Sequence, residues 1–517
     1  MKRLLAILLT LGLLLSAVLT GCTSDGKKDE TLENAPKHTE TEPVYGGHLV
    51  YGMTQDLVSL DPHESTDAGT RSVVFNIYEG LVKPSSSGDL IPAVAGSFEI
   101  DPSGMEYVFT IRDGIKFQNG QEVTLKDIEY SFNRYAEFSG ENSAFVKAVK
   151  ELSFPDEKTV KITLNEADSE FLSQLTFAII PDGSDPAEKP IGTGPFMVVE
   201  YKAGQYLDLS KNQYYWLENE PYLDTVRFKF IADVNTAFTE LQAGTIDVLN
   251  YLTTAQVEAL KKGTGDDFRI VEGNMNLVHA MFLNNQAGPL SDVKVRQAIC
   301  YAVDRDAINS FLFGGKSIII GSHMTPQLPT WYEPEAASVY TYDVKEAKKL
   351  LEEAGYPNGF DLTITVPSSY SQHVDTAQII ADQLSLVGIN ATIKQVEWTV
   401  WLSDVYKGRD YEATVIGFDG KLNPSDWMAK YGTTASNNLT NYSDPEYDEL
   451  LEKALKAVDT EEKASYYKQM QMNLARNAAS VYIEDPADFV AMDSQFDGYV
   501  FYPTAAWDVS KIYQIKK

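Results

Sequence analysis

Cysteine is almost missing from this chain of 517 residues, which holds only Cys22 and Cys300. If Cys22 is consumed by modification the body has no internal disulfide, and its stability must come from packing. Histidine is sparse as well, with six side chains scattered at positions 38, 48, 63, 279, 323 and 373. No His-Glu-x-x-His and no Cys-x-x-Cys occurs, so neither a metal site nor a cofactor is expected. Positive charge is in deficit: 43 Lys and Arg stand against 74 Asp and Glu, a net charge of −31 with no basic cluster to offset it. Such a surface repels phosphate backbones and excludes nucleic acid as a partner. The motifs of common enzymes are missing too. There is no Gly-x-Ser-x-Gly. Gly314-Gly315-Lys316-Ser317 lacks the first glycine of a phosphate loop, since Ser310 stands there, and it follows an apolar helix rather than a strand. Gly192-Thr193-Gly194-Pro195 runs into the apolar Phe196-Met197-Val198-Val199 and reads as a turn before a strand, not as an anion-binding helix start. Acidic pairs such as Asp304 with Asp306 or Asp493 with Asp497 are unsurprising among so many carboxylates and do not define an acid–base site. The sequence gives no support to an enzyme.

What is present begins at the first residues. Lys2 and Arg3 precede an uncharged apolar run from Leu4 to Leu19, which is short for a bilayer span and stops at Thr20-Gly21-Cys22. Leu19-Thr20-Gly21-Cys22 resembles the bacterial lipobox, so residues 1–21 are expected to be a lipoprotein signal peptide and Cys22 the lipidated N-terminus. The plain alternative is an uncleaved anchor with a free thiol. Acyl chains on Cys22 would hold the product on the outer face of the cytoplasmic membrane or elsewhere in the envelope. Residues 22–45 are rich in Thr, Glu, Lys and Asp and too poor in apolar side chains to offset the entropy of ordering, so they read as a tether. The rest draws on 29 Tyr and 23 Phe, enough for a sizeable core, and has no second run able to span a bilayer.

Its texture is mixed. Tyr107–Arg112 alternates like a strand, Asn119-Gly120 signals a hairpin, and Thr124 with Asp127 forms a capping box for a helix. Val295, Ala298, Ile299, Ala302 and Val303 share one helical face. Asp343 opens another helix that Gly355 stops; Ala377–Val387 makes a third, followed through Gly388 by the strand 389–393; Asp444-Pro445 opens a fourth. Helices joined tightly to strands indicate an α/β architecture.

Several blocks, in order, resemble family 5 of the bacterial extracellular solute-binding proteins, the peptide and nickel group: Ile91-Pro92-Ala93-Val94-Ala95, Tyr107–Phe117 with Asn119-Gly120, Pro190–Phe196, Lys211–Trp216, Phe282-Leu283-Asn284, Val295–Arg305 and Asp343–Gly359. The resemblance implies a two-lobed periplasmic-binding-protein-like α/β fold of the cluster C type. Lobe one would be formed by 46–81, 189–285 and 486–517, an extra domain by 82–188, and lobe two by 286–485. It further implies capture of a solute between hinged lobes for an ABC importer, with the permease as partner and the binding protein a monomer. An oligopeptide is the expected ligand. An oligosaccharide or other solute, a role as peptide-signal receptor and, more remotely, a lipid-anchored hydrolase are the alternatives; the thin histidine count disfavours nickel.

In peptide-binding relatives an Asp in a Gly-aromatic-x-x-Asp stretch pairs with the ligand's α-amine. The matching segment is Gly417-Phe418-Asp419-Gly420-Lys421, where Lys421 occupies the carboxylate position and Asp419 lies two residues earlier. Either Asp419 takes the role from a shifted loop, or Lys421 meets an anionic ligand. Dipeptide binders of the family also use an Arg in the loop that here reads Pro367–Gln372 and has none, which points to longer peptides. Trp398, Trp401, Trp427, Tyr370 and Phe418 are candidate walls, with core packing as the plain alternative for each tryptophan, and Asn423 is a further candidate. From lobe one, Tyr51 and the turn Leu60-Asp61-Pro62-His63 would face the cleft, with a structural role as the favoured alternative for both.

Overall fold

The computed structural model describes residues 43–65, 67–140, 143–263, 267–368 and 370–516. The segments expected to be a signal peptide and a tether, with Cys22, lie almost wholly outside these residues. Among the described residues no helix is long and apolar enough to cross a membrane.

Two mixed sheets organise the body. The first has seven strands in the order Phe268–Asn274, Ala487–Asp493, Val248–Leu249, His48–Met53, Thr225–Phe230, Tyr206–Lys211 and Phe196–Lys202. The second has six, in the order Ile318–Ile319, Ser480–Asp485, Leu277–Leu283, Ala413–Asp419, Asp361–Pro367 and Asn390–Val396. Each sheet is buried on both faces, so its central strands read as continuous apolar runs. In Leu277–Leu283, Val278, Ala280 and Phe282 enter one core while Met281 and Leu283 enter the other. In His48–Met53, Leu49, Tyr51 and Met53 pack on one side and Val50 on the other. These are the two lobes.

A third, antiparallel sheet of four strands, Ala95–Ile100, Glu106–Ile111, Thr159–Leu164 and Val149–Ser153, forms the extra domain with its own aromatic core around Tyr107, Phe109, Phe145 and Phe171. The helix Leu125–Ser139 starts at the Thr124–Asp127 capping box, and its Arg134 reaches back to lobe one, where it donates 2.9 Å to Asp61. The Leu60–His63 turn is therefore occupied by the extra domain and does not face the cleft: Asp61 and His63 are buried, and His63 Nε2 lies 2.9 Å from the Ala178 carbonyl. Gly192 and Gly194 pack so closely on the Ile77 backbone that a Cβ at either position would collide with it. Gly192 N–H donates 3.0 Å to Gln118 and Gly194 N–H 3.0 Å to the Ile77 carbonyl, so this glycine pair is a structural turn.

The local signals hold. Asp343 caps Val344–Glu353, and Gly355 follows with φ +87°. Asp444 caps Pro445–Lys456 through Tyr447 N–H. Gly314 is the left-handed stop of Arg305–Phe313. The Asn119-Gly120 hairpin is reduced to a single bridge between Lys116 and Glu122. Cys300 is buried, and burial pushes its thiol up to about 12, which leaves it an inert core side chain.

Only two nearby segments carry the chain between the large sheets at the centre of the molecule. Phe268–Asn274 leads through Met275-Asn276 into Leu277–Leu283, and Ser480–Asp485 leads through Pro486 into Ala487–Asp493. Met275 N–H donates 2.9 Å to the Pro486 carbonyl, so the two crossings run side by side. The first lies ahead of the boundary at 285 read from the sequence, because Leu277–Leu283 is paired on both edges within the six-stranded sheet.

Candidate functional site

The crossing strands form the floor of a cleft between the lobes, which is divided into two cavities. One, of about 470 Å³, is lined from lobe one by Arg71, Tyr251, Asp488, Tyr499 and Trp507, from the extra domain by Ser173 and Gln174, and from lobe two by Asp419, Lys421 and Asp426. The other, of about 670 Å³, is lined by Tyr251, Leu277, Tyr370, His373, Trp398, Trp401, Phe418 and Asp419 among others. Tyr251, Met275 and Asp419 border both. A depression of about 750 Å³ along helix Thr460–Arg476 shares no lining residue with either and lies apart from the cleft.

The strand Ala413–Asp419 positions the central acid. Its last residue, Asp419, emerges exposed at the junction of the cavities, while Ala413, Val415 and Ile416 are fixed in the cores of lobe two. Lys421 is exposed and lines only the first cavity. Phe418 is half-buried, edge-on to Phe282 at 5.2 Å. Trp401 is buried, its indole N–H donating 3.0 Å to Thr414, and Trp398 stacks on it at 5.2 Å with rings nearly parallel. Tyr370, 45% exposed, meets Trp398 edge-on at 5.5 Å. Tyr370, Trp398, Trp401, Phe418 and Asp419 all line the second cavity, whereas Lys421 does not.

Three candidates lie elsewhere. Trp427 is wholly buried in lobe two, and its indole N–H donates 2.8 Å to the Lys421 carbonyl; it shapes the loop that carries Lys421 and does not line the cleft. Tyr51 is wholly buried in lobe one, with its hydroxyl 2.5 Å from Asn250 and its ring stacked 5.3 Å from Trp507. It backs the cavity wall without facing the cavity, because the alternation of His48–Met53 turns it into the core. Asn423 is buried where it touches the extra domain, donating 2.5 Å to Ser173 Oγ.

That contact belongs to a clasp the sequence did not reveal. Glu170, from the extra domain, inserts between helices of lobe two. One carboxylate oxygen accepts from Tyr467 OH at 2.8 Å and Lys463 Nζ at 3.2 Å; the other accepts from Ser425 N–H at 3.1 Å and from the Ser425 hydroxyl. Both members of the ion pair are buried, with side chains 9% and 2% exposed. Also unforeseen were Arg71, Asp488, Tyr499 and Trp507. No periodic or motif signal marks them, since they come together only when the first and last segments of the chain fold into lobe one.

Burial dominates the electrostatics of the floor. It raises the Asp488 carboxyl to about 7, and Glu484 and Asp485, just before Pro486, to about 8. Behind the second cavity His279 lies 3.4 Å from Glu484 and 3.2 Å from His373, and burial lowers both imidazoles, His279 to about 3. These histidines are neutral near pH 7. No group of three or more His, Cys, Asp or Glu among the described residues is arranged to hold a metal ion.

Comparison with known proteins agrees with this architecture. The profile of the bacterial extracellular solute-binding proteins, family 5 (Middle), matches residues 89–440. The chain is 28% identical to heme-binding protein A of Haemophilus influenzae over 83% of its own length and 85% of the relative's. It is 27% identical to the oligopeptide-binding protein AppA of Bacillus subtilis over 97% of both chains. The structure of AppA with a nonapeptide superposes with a TM-score of 0.73 at 25% identity, covering 92% of this chain and 100% of AppA. The periplasmic binding protein DppA of Helicobacter pylori, solved with the peptide STSA, gives a TM-score of 0.72 at 27% identity, covering 92% and 99%. With the profile spanning well over half of the chain and the two-lobed fold in place, this protein belongs to family 5 of the bacterial extracellular solute-binding proteins.

Proposed function

We propose that the protein captures an oligopeptide between its lobes and presents the closed complex to an ABC importer, tethered outside the membrane through Cys22. The observation that carries this reading is the position of Asp419, an exposed carboxylate at the meeting point of two cavities that border one another in the same cleft. Each cavity falls within the ~300–1,000 Å³ typical of ligand sites. The similarity to AppA and DppA, both solved with peptides, supports the same ligand class.

In this mechanism the α-amine pairs with Asp419, the backbone lies across the crossing strands, and the lobes rotate about Met275-Asn276 and Pro486. Two adjacent strand crossings allow a hinge motion while keeping the sheets intact. The ligand stabilises the closed form by the contacts it makes only there, and the importer selects that form. Glu170 adds a protein contact to the same equilibrium. The tether raises the effective concentration near the permease without adding any contact.

Native mass spectrometry of the full-length protein, followed by thermal shift with peptide pools of graded length, tests the proposal. A bound peptide mass and stabilisation that grows with ligand concentration are expected. Asp419→Ala should then weaken peptide binding by ~1.5–3 kcal/mol, the worth of a charge-assisted hydrogen bond. The exposed ring of Tyr370 and the half-buried ring of Trp398 favour one second reading, stacking of sugar rings. A response to oligosaccharides with none to peptides would replace the peptide reading by that one.

A further inference from the structure

The two cavities differ in charge. The smaller mixes acids with the basic side chains Arg71 and Lys421. Among the described residues, the only charged side chains around the larger are Asp375 and Asp419, and no Lys or Arg lines it. His373 in the same lining is held neutral by burial and by its contact with His279, and its Nε2 accepts from Gly417 N–H at 3.3 Å. The walls are aromatic: Tyr370 is open to solvent over nearly half of its surface, and Trp398 is held in place by its stack on the buried Trp401. Within the same lining, Gln372 has a buried side-chain N–H group with no acceptor. A cavity with two carboxylates, aromatic faces and no cation attracts a positive group and repels a negative one.

We infer that the larger cavity receives a cationic side chain of the bound peptide, arginine or lysine, so that the protein selects basic peptides. This rests on the peptide reading and deepens it. With Asp419 engaged by the α-amine, Asp375 on the helix Ser371–Ser385 remains as the counter-charge for the side chain. Tyr370 and Trp398 supply ring faces for an ammonium or guanidinium group. Gln372 supplies a donor for a ligand carbonyl. An acidic side chain in the same place would meet two like charges and no cation.

The test is calorimetric titration of the full-length protein with equal-length peptides that differ at one position, scanned along the chain, where Arg, Lys, Leu or Glu is placed. At one position the basic peptides should bind about tenfold more tightly than Leu and more tightly still than Glu, the size expected of a cation among aromatic rings and carboxylates. Asp375→Asn should reduce that preference about threefold while leaving the Leu peptide unchanged, and the preference should shrink with added salt. Peptides that bind with no dependence on side-chain charge, or with Glu favoured, would overturn the inference and leave the peptide reading standing. Should no peptide bind, the peptide reading fails, and argininamide decides the cavity separately. Its binding, weakened by Asp375→Asn, sustains a cation site; its failure to bind ends it.

Discussion

The floor of the cleft and its far rim hold the two lobes together by opposite means. At the floor the join is covalent and made of backbone: two strand crossings, Met275-Asn276 and Pro486, linked by a hydrogen bond. Buried around it are three carboxyl groups, Glu484, Asp485 and Asp488, each pushed up by desolvation and none in an ion pair with Lys or Arg. At the rim the join is made of side chains from distant parts of the sequence, and it contains an acid with its base, Glu170 with Lys463. The floor is joined through the backbone in any arrangement of the lobes, and burial favours the neutral form of its acids. The rim pairs side chains from two different domains, so parting of the lobes would return its charges to water. The first region accounts for the permanence of the molecule and the second for its response.

The largest expected effect breaks the rim. Glu170→Ala leaves Lys463 buried with no carboxylate and strips acceptors from Tyr467 and Ser425, which should cost the closed form ~3 kcal/mol. Opening relieves most of that cost, so the change should read as faster ligand release and a larger radius of gyration, with little loss of thermal stability. An unchanged radius and release rate would mean that the rim does not contribute to closure.

The next prediction concerns the floor. Carboxyls whose folded pKa lies above the unfolded value of about 4 hold protons more tightly in the fold. Their contribution is fully present below pH about 4 and is lost as pH rises through about 7 for Asp488 and about 8 for Glu484 and Asp485. Stability should therefore fall between mildly acidic and mildly alkaline solution, and Asp485→Asn, which keeps the shape without the titration, should flatten the fall. A melting temperature that rises over that interval in the native protein would contradict the assignment of these groups as neutral at the hinge.

How much of this was legible depends on how local the signal is. Asp343 with Gly355, Asp444 with Pro445, and Thr124 with Asp127 mark helix ends through hydrogen bonds a few residues long, so the sequence displays them. The family blocks carried the two-lobed fold. The cluster of Tyr370, Trp398, Trp401 and Phe418 was visible because one lobe is largely continuous in sequence. Tyr51 and Trp427 stood open between core and cleft for one reason: an aromatic ring that packs a core and one that lines a pocket look alike until the facing element is known. Tyr51 is covered by Trp507, which follows it by most of the chain length. The clasp was illegible for the same cause, since Glu170 and Lys463 acquire meaning only from two domains meeting, and in sequence each is one charged residue among many.

The smallest predicted effect sharpens the comparison by separating charge from contact at the rim. Asn423 donates to Ser173 beside Glu170, a neutral hydrogen bond in the same interface. Asn423→Ala should cost the closed form only ~0.5–1.5 kcal/mol, because Ser173 lines the cavity and can turn to water. If the rim acts through its buried ion pair, release should accelerate far less for Asn423→Ala than for Glu170→Ala, and Glu170→Gln should resemble the alanine variant, because an amide keeps the shape but leaves the Lys463 charge uncompensated. If instead Asn423→Ala and Glu170→Ala release ligand equally fast and Glu170→Gln behaves like the native protein, the rim acts through packing and neutral hydrogen bonds. The contrast with the floor would then lie in permanence alone, not in charge.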